Sequence, residues 1–252
     1  MCYKVPMKGL IKLLTYLKDV LITILIYILE IANFIIGTIL IFLVGIFTTG
    51  KFFEFMINTF SRFIIFLGGV WMKVEGRENI VPGKKYIVMM NHVNIFDGFV
   101  LKRTFVKKVR GIEEEKHMNW PIYGHLMTRI GMIPINRKNA RKAMESLKSA
   151  AEKLNQQKEL SIGIMPEGTR TRDGKLSKFK KGGFLLALES GLDILPFTQS
   201  GAYKIKQKTG WIIRPGKIKV NIDKSIPVAG YTRENINELM DKVRNVMLKY
   251  VD

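Results

Sequence analysis

A short β-prone run, Tyr86-Ile87-Val88-Met89-Met90, leads into Asn91-His92, and an aspartate, Asp97, follows His92 by five positions. A carboxylate bonded to one imidazole nitrogen fixes the tautomer, leaves the other nitrogen as a proton acceptor and stabilises the imidazolium that forms. The pair therefore suits a general base working near neutral pH, with no Ser or Cys nucleophile required. Taken alone, the spacing also fits a capping Asp beside a structural His. A second strand-to-turn junction, Ile162-Gly163-Ile164-Met165-Pro166, delivers Glu167-Gly168-Thr169-Arg170-Thr171-Arg172. Guanidinium forks and backbone amides in such a turn suit a phosphate. The segment Gly131 to Arg137 has the same form and ends on Arg137. A lone arginine is ordinarily a solvated surface charge, and only the shared placement at strand ends sets these apart. Lys178, Lys180 and Lys181 carry the same ambiguity.

These residues need a scaffold that aligns strand ends. Trp71 to Glu75, Tyr86 to Met90, Met132 to Ile135, Leu160 to Met165, Ile194 to Phe197 and Lys217 to Ile222 read as strands. Between them, Asn139 to Gln157 and Gly182 to Ser190 read as helices, and Arg233 to Tyr250 reads as a closing helix behind a Thr232 cap. The alternation predicts an α/β fold: a mixed, largely parallel sheet flanked by helices, with ligands at the carboxyl ends of the strands.

The chain has 252 residues, enough for one such domain and an additional segment. The single cysteine, Cys2, excludes an intramolecular disulfide, and one Cys with three His leaves few soft ligands for a metal centre. Lys and Arg number 41 against 21 Asp and Glu, a net +20 that points to an anionic partner: nucleic acid, lipid headgroups or an acidic carrier protein. From Val20 to Phe47 the only charge is Glu30, and as a helix this stretch would be roughly 42 Å long, more than a hydrocarbon core. Ahead of it, Lys4, Lys8 and Lys12 alternate with Leu10, Leu13, Leu14 and Leu17 in the manner of a basic amphipathic helix at a membrane surface. Behind it, the apolar stretch Phe52 to Trp71 is broken by Glu54, Asn58 and Arg62, which would be costly at the bilayer centre. Both a spanning placement and a hairpin dipping into one leaflet satisfy this pattern. The expected division is a helical membrane-anchoring segment over residues 1–72 and a catalytic domain over 73–252. Lysines on both sides of the apolar region put the catalytic domain on the cytoplasmic face of a cell membrane.

In this order, the blocks resemble the glycerolipid acyltransferases of the 1-acylglycerol-3-phosphate acyltransferase type. Asn91-His92 with Asp97 matches that family's NHxxxxD, Gly131 to Arg137 its second block, Pro166-Glu167-Gly168-Thr169-Arg170 its PEGTR, and Ile194-Leu195-Pro196-Phe197 its hydrophobic-Pro block. The resemblance implies that His92 takes the proton of an acceptor hydroxyl, Asp97 orients His92, and the alkoxide attacks an acyl thioester directly. It further implies that Arg137 and the turn of Glu167, Gly168, Thr169 and Arg170 hold a glycerol phosphate, with Lys116 and Asn91 as candidates for oxyanion stabilisation or positioning. His117 and His125 remain structural. No cofactor is implied beyond the donor, acyl-CoA or acyl carrier protein, and the lipid partner is lysophosphatidic acid. Asn94, Asn136 and Met165 depart from the family's usual residues and leave other acceptors open, among them glycerol 3-phosphate and other lysophospholipids. A membrane-anchored nucleic-acid-binding protein, the reading suggested by charge alone, lacks a helix-turn-helix or an aromatic and basic platform.

Overall fold

The computed structural model describes residues 7–48, 50–105, 109–136, 140–157 and 159–251. Seven strands form one sheet: β1 (Val70–Glu75), β2 (Ile87–Met90), β3 (Val109–Glu114), β4 (Ile133–Ile135), β5 (Ser161–Ile164), β6 (Ile194–Ser200) and β7 (Gly216–Ile222). Their order is β1-β7-β6-β2-β5-β3-β4, and the β6–β7 pair alone among adjacent pairs is antiparallel. β2 through β6 therefore present their carboxyl ends on one rim.

The helices are α1 (Met7–Phe47), α2 (Lys51–Leu67), α3 (Asp97–Thr104), α4 (Tyr123–Ile130), α5 (Ala140–Gln156), α6 (Gly182–Ser190), α7 (Ala202–Ile205) and α8 (Ile236–Leu248). Every residue of β2 and β5 is buried, the continuous pattern of parallel strands covered on both faces. Alternate side chains of β2 divide between two cores. Ile87 and Met89 join Leu147 and Leu154 of α5, Phe184 of α6 and Val243 of α8. Val88 and Met90 join Val100 of α3, Ile64 and Ile65 of α2 and Ile26 of α1. The helical pair at the start of the chain thus helps to build the core behind the site.

The basic amphipathic stretch from Lys8 onward and the apolar stretch behind it form a single helix, α1, of 41 residues and about 60 Å, while Lys4 lies outside the described residues. It is long and apolar enough to cross a membrane. Most of its large side chains, from Leu10 to Phe47, are exposed, so it is not the buried core helix of a soluble domain. α2 packs antiparallel to it, and close approach is set at Gly37, where a Cβ would stand 2.3 Å from the Phe60 ring. Of the three polar residues that interrupt α2, Glu54 is satisfied by the domain: it pairs with Lys102 of α3 at 3.1 Å and with the guanidinium of Arg110 in β3. α1 is fixed to the domain at two places. Near residue 23, Asp19 bridges Arg214 at 2.7 Å, Thr23 exchanges hydrogen bonds with the backbone of Ile213, and Tyr27 donates to the carbonyl of Trp211. Farther along, Phe42 meets His125 of α4 edge-on at 5.4 Å.

Every strand read from sequence is present. β3 goes beyond that reading, because Val109-Arg110-Gly111-Ile112-Glu113-Glu114 is too charged to register as a strand. The closing helix begins at Ile236 rather than Arg233. Thr232 forms a preceding turn, its N–H donating to Asn235 Oδ1, and Arg233 leaves the helix to pair with Glu189.

Candidate active site

β2 ends at Met90, and the next seven residues turn tightly enough to bring Asp97, the first residue of α3, back onto His92. His92 Nδ1 lies 2.7 Å from Asp97 Oδ2. The same oxygen accepts the N–H of Val93 at 2.7 Å, and both carboxylate oxygens accept the N–H of Asn94. Gln199 of β6 donates its side-chain amide to Oδ1 at 2.6 Å. Asp97 is 2% exposed at its side chain and sits in the first turn of a helix, where a negative charge is favoured. The imidazole is 26% exposed. With Nδ1–H donating to Asp97, Nε2 is the proton acceptor that remains for a ligand.

The Glu167 turn serves this loop. Glu167 is buried, its Oε1 accepting the N–H of His92 at 2.7 Å and its Oε2 the N–H of Ser177 at 2.8 Å. The N–H of Thr171 in turn donates to the carbonyl of His92. Burial pushes the Glu167 carboxyl up, against the pull of the amides at His92 and Ser177. Glu167, expected among the phosphate-holding residues, thus has both oxygens engaged by backbone donors, and a carboxylate would repel a phosphate.

The cations gather one step farther along. Gly168 adopts φ +70 and stands close under the Lys180 side chain, where a Cβ would lie 2.8 Å from Nζ. Thr169 Oγ1 accepts from Lys208 Nζ at 2.7 Å. Buried Lys206 is held by the carbonyls of Gln207 and Gly210, and burial followed by the charge of Arg170 pulls its ammonium below the usual lysine range. Arg170, Lys180, Lys206 and Lys208 therefore surround the turn that follows Glu167, whereas Lys178 and Lys181 are solvated. Sequence reading missed Lys206 and Lys208 because they come from the segment after β6.

The remaining candidates lie elsewhere. Arg137 falls outside the described residues. Lys116 is on the same rim but two strands from β2, about 10 Å at the usual strand spacing. Its ammonium is about half exposed and pairs with Glu114 at 3.1 Å. Asn91 is buried, with Nδ2 donating to the carbonyl of Gln199 and Oδ1 accepting its N–H, so the side chain aligns β2 with β6. Asn94 is likewise engaged, donating to the carbonyl of Ala202 and accepting the N–H of Phe96. His117 forms a second His–carboxylate pair with Glu113 at 2.6 Å, in which Tyr123 OH occupies the other oxygen at 2.8 Å. His125 packs against Phe42, as a structural histidine would. Gln199 was not foreseen, although a glutamine inside a buried strand is itself a signal.

An apolar hollow of about 320 Å³ adjoins the His92 loop, lined by Ile31 and Phe34 of α1, Ile64 of α2, Ile95 and Phe96 of the loop and Phe99 of α3. Ile95 is exposed and continues the apolar surface of α1 and α2 to within three residues of His92. A larger hollow of about 810 Å³ lies beside Lys116 and Asn136.

A family model described as Acyltransferase matches residues 72–200. A 1-acyl-sn-glycerol-3-phosphate acyltransferase of Limnanthes douglasii is 31% identical over 186 residues, covering 74% of this chain and 65% of that protein. The protein of that name from Pseudomonas aeruginosa is 29% identical over 222 residues, covering 86% and 85%. The chain thus spans 65% of the length of the plant relative and 85% of the bacterial one. The crystal structure of the 1-acyl-sn-glycerophosphate (LPA) acyltransferase PlsC from Thermotoga maritima shares the fold, with a TM-score of 0.77 at 23% identity over 93% of this chain and 95% of that one.

Proposed function

Because the chain belongs to the Acyltransferase family, we propose that it moves a fatty acyl group from a thioester to the sn-2 hydroxyl of 1-acyl-sn-glycerol 3-phosphate, giving phosphatidic acid. The observation that carries the reading is the His92–Asp97 pair at 2.7 Å, standing between a ring of cations and an apolar hollow. An amphiphile with an anionic head and an acyl tail meets both environments at once. The names of the relatives supply the acceptor.

In this reading His92 Nε2 removes the proton of the sn-2 hydroxyl as its oxygen attacks the thioester carbonyl. Asp97 holds the imidazolium that results. Collapse of the tetrahedral intermediate breaks the C–S bond, and the proton passes from Nε2 to the departing thiolate. General-base assistance of this kind is worth about 10² to 10⁴ in rate. Arg170, Lys180 and Lys208 take the phosphate, and an anion among these cations relieves their mutual repulsion. The donor is acyl-CoA or acyl carrier protein, both anionic and complementary to the net +20.

The membrane placement follows from how α1 is held. Its contacts with the domain run from Asp19 to Phe42, about 35 Å along the axis. A helix fastened to the domain over that length lies along its face, so we propose that α1 and α2 enter one leaflet from the cytoplasmic side without crossing it. Lipid then reaches His92 along Ile95 without leaving the membrane.

The test is acyl transfer to lysophosphatidic acid by the detergent-purified full chain, with each thioester offered in turn. The parent should form phosphatidic acid, and folded His92→Ala should lose activity by about 10² to 10⁴. A folded parent inactive with both donors would overturn the assignment of acceptor. Activity surviving in His92→Ala would overturn the mechanism.

A further inference from the structure

The carboxylate of Asp97 ends in a torsion that has no sharp intrinsic preference, so its plane is set by its donors. Three of them, His92 and the amides of Val93 and Asn94, lie within the same loop and would move with it. The fourth comes from across the sheet. Gln199 is buried, and its side-chain nitrogen lies 2.6 Å from Asp97 Oδ1 and 3.4 Å from the carbonyl of Asn91. Both neighbours are acceptors, which orients the amide. Asn91, through its two hydrogen bonds to the Gln199 backbone, fixes where that side chain starts.

Holding this amide is costly. Among the described residues Gln199 Oε1 is buried with no donor facing it. Leu195 and Phe197 point to the same face of β6 and are apolar, joining the core that covers β2. A strand shaped for stability alone would continue that apolar series at position 199. The orphaned carbonyl is what remains when a side chain is retained for its N–H.

We propose that Gln199 is a positioning residue of the His92–Asp97 pair: from β6 it locks the plane of the Asp97 carboxylate so that Oδ2 holds His92 with Nδ1 protonated and Nε2 as acceptor. The inference rests on the acyl-transfer reading for its kinetic consequence, though not for its geometry. Gln199 touches no reacting atom and acts through Asp97.

The test compares Gln199→Met, which keeps length and burial and removes the donor, with Gln199→Glu, which keeps shape and replaces the donor with an acceptor. Thr198→Val, on the opposite face of β6, serves as the control for altering a buried polar residue of that strand. In Gln199→Met the expected result is a fall in kcat of about tenfold or more with KM for both substrates held within about twofold, the signature of lost alignment rather than lost binding. Gln199→Glu should fall further, and Thr198→Val should match the parent. In ¹⁵N-histidine-labelled protein at mildly alkaline pH, the parent should hold His92 as a single Nδ1–H tautomer, and the Gln199 variants should show averaged ring-nitrogen shifts. Unchanged His92 shifts, a kcat within about twofold of the parent, or a loss carried in KM would each overturn the proposal. If Gln199→Met does not fold, Gln199→Glu supplies the same readouts in an isosteric frame. Were the parent inactive with every acceptor, the acyl-transfer reading would fail, while the tautomer measurement would still decide the role of Gln199.

Discussion

Replacing Glu167 separates two roles that its position in the sequence leaves merged. A ligand for the acceptor phosphate would, when lost, raise the acceptor KM and spare kcat. The structure instead has Glu167 holding the His92 amide at 2.7 Å and the Ser177 amide at 2.8 Å. Hydrogen bonds to a charged acceptor contribute about 1.5 to 3 kcal/mol each, so removing two costs about 3 to 6 kcal/mol where water cannot replace them. His92 and Ser177 are only partly buried, and water will recover some of that, so the lower end, about 3 kcal/mol, is expected for Glu167→Ala. At about 2 to 4 °C per kcal/mol for a chain of this size, the unfolding midpoint should drop by about 6 to 12 °C. Loosening the His92 backbone by an ångström is enough to cost about 10² in kcat. Glu167→Gln keeps one acceptor and turns an NH₂ toward the other amide, so it should fall between parent and alanine. Its pH dependence has a definite sign. Because burial raises the Glu167 carboxyl above its ordinary 4.5, the native state retains a proton that the unfolded chain has released, and this group's contribution to stability declines as pH rises from about 4.5. Glu167→Gln has no such titration, so its deficit relative to the parent should be largest in acid and shrink toward neutrality. Steady-state kinetics in both substrates and thermal unfolding across pH measure all of this. A Glu167→Ala protein with intact kcat, an unchanged midpoint and a raised acceptor KM would refute the reasoning and restore the phosphate role.

Two further substitutions probe the neighbouring features. Glu54→Ala removes the counter-charge of buried Arg110 and should destabilise the detergent-solubilised chain by about 3 to 5 kcal/mol; an unfolding midpoint equal to the parent's would mean that α2 is not docked as described. Arg170→Ala should raise the acceptor KM about tenfold with little change in kcat, as expected for one charge-assisted bond to a partly exposed phosphate. The opposite split, a kcat loss at constant KM, would remove Arg170 from the binding site.

What could be read in advance was local. His92 and Asp97 are five residues apart on one strand-to-helix turn, so their spacing allows a meeting, although taken alone it fits a capping Asp beside a structural His equally well. The strands Tyr86 to Met90 and Leu160 to Met165 were legible because buried parallel strands are unbroken apolar runs. What escaped were partners joined across the fold. Gln199 reaches Asp97 over 102 positions and Glu54 reaches Arg110 over 56, and no periodicity links such pairs. The PEGTR-like turn was read as a single ligand site because its residues are adjacent. In three dimensions Glu167 points inward to the His92 loop, while Arg170 and Thr169 lie beside cations that arrive from the segment after β6.

The two attachments of α1, at Arg214 through Trp211 and at His125, reach beyond anchoring. In the proposed placement the chain lies along a leaflet and samples the proposed lipid acceptor by lateral diffusion in two dimensions, so that what it experiences is the mole fraction of acceptor in the surface. Diluting the acceptor with inert lipid at fixed total acceptor should therefore slow turnover, whereas adding water should leave it unchanged. The thioester donor, arriving from solution, should still obey its bulk concentration, so the two substrates of one reaction would be governed by concentrations of different dimension.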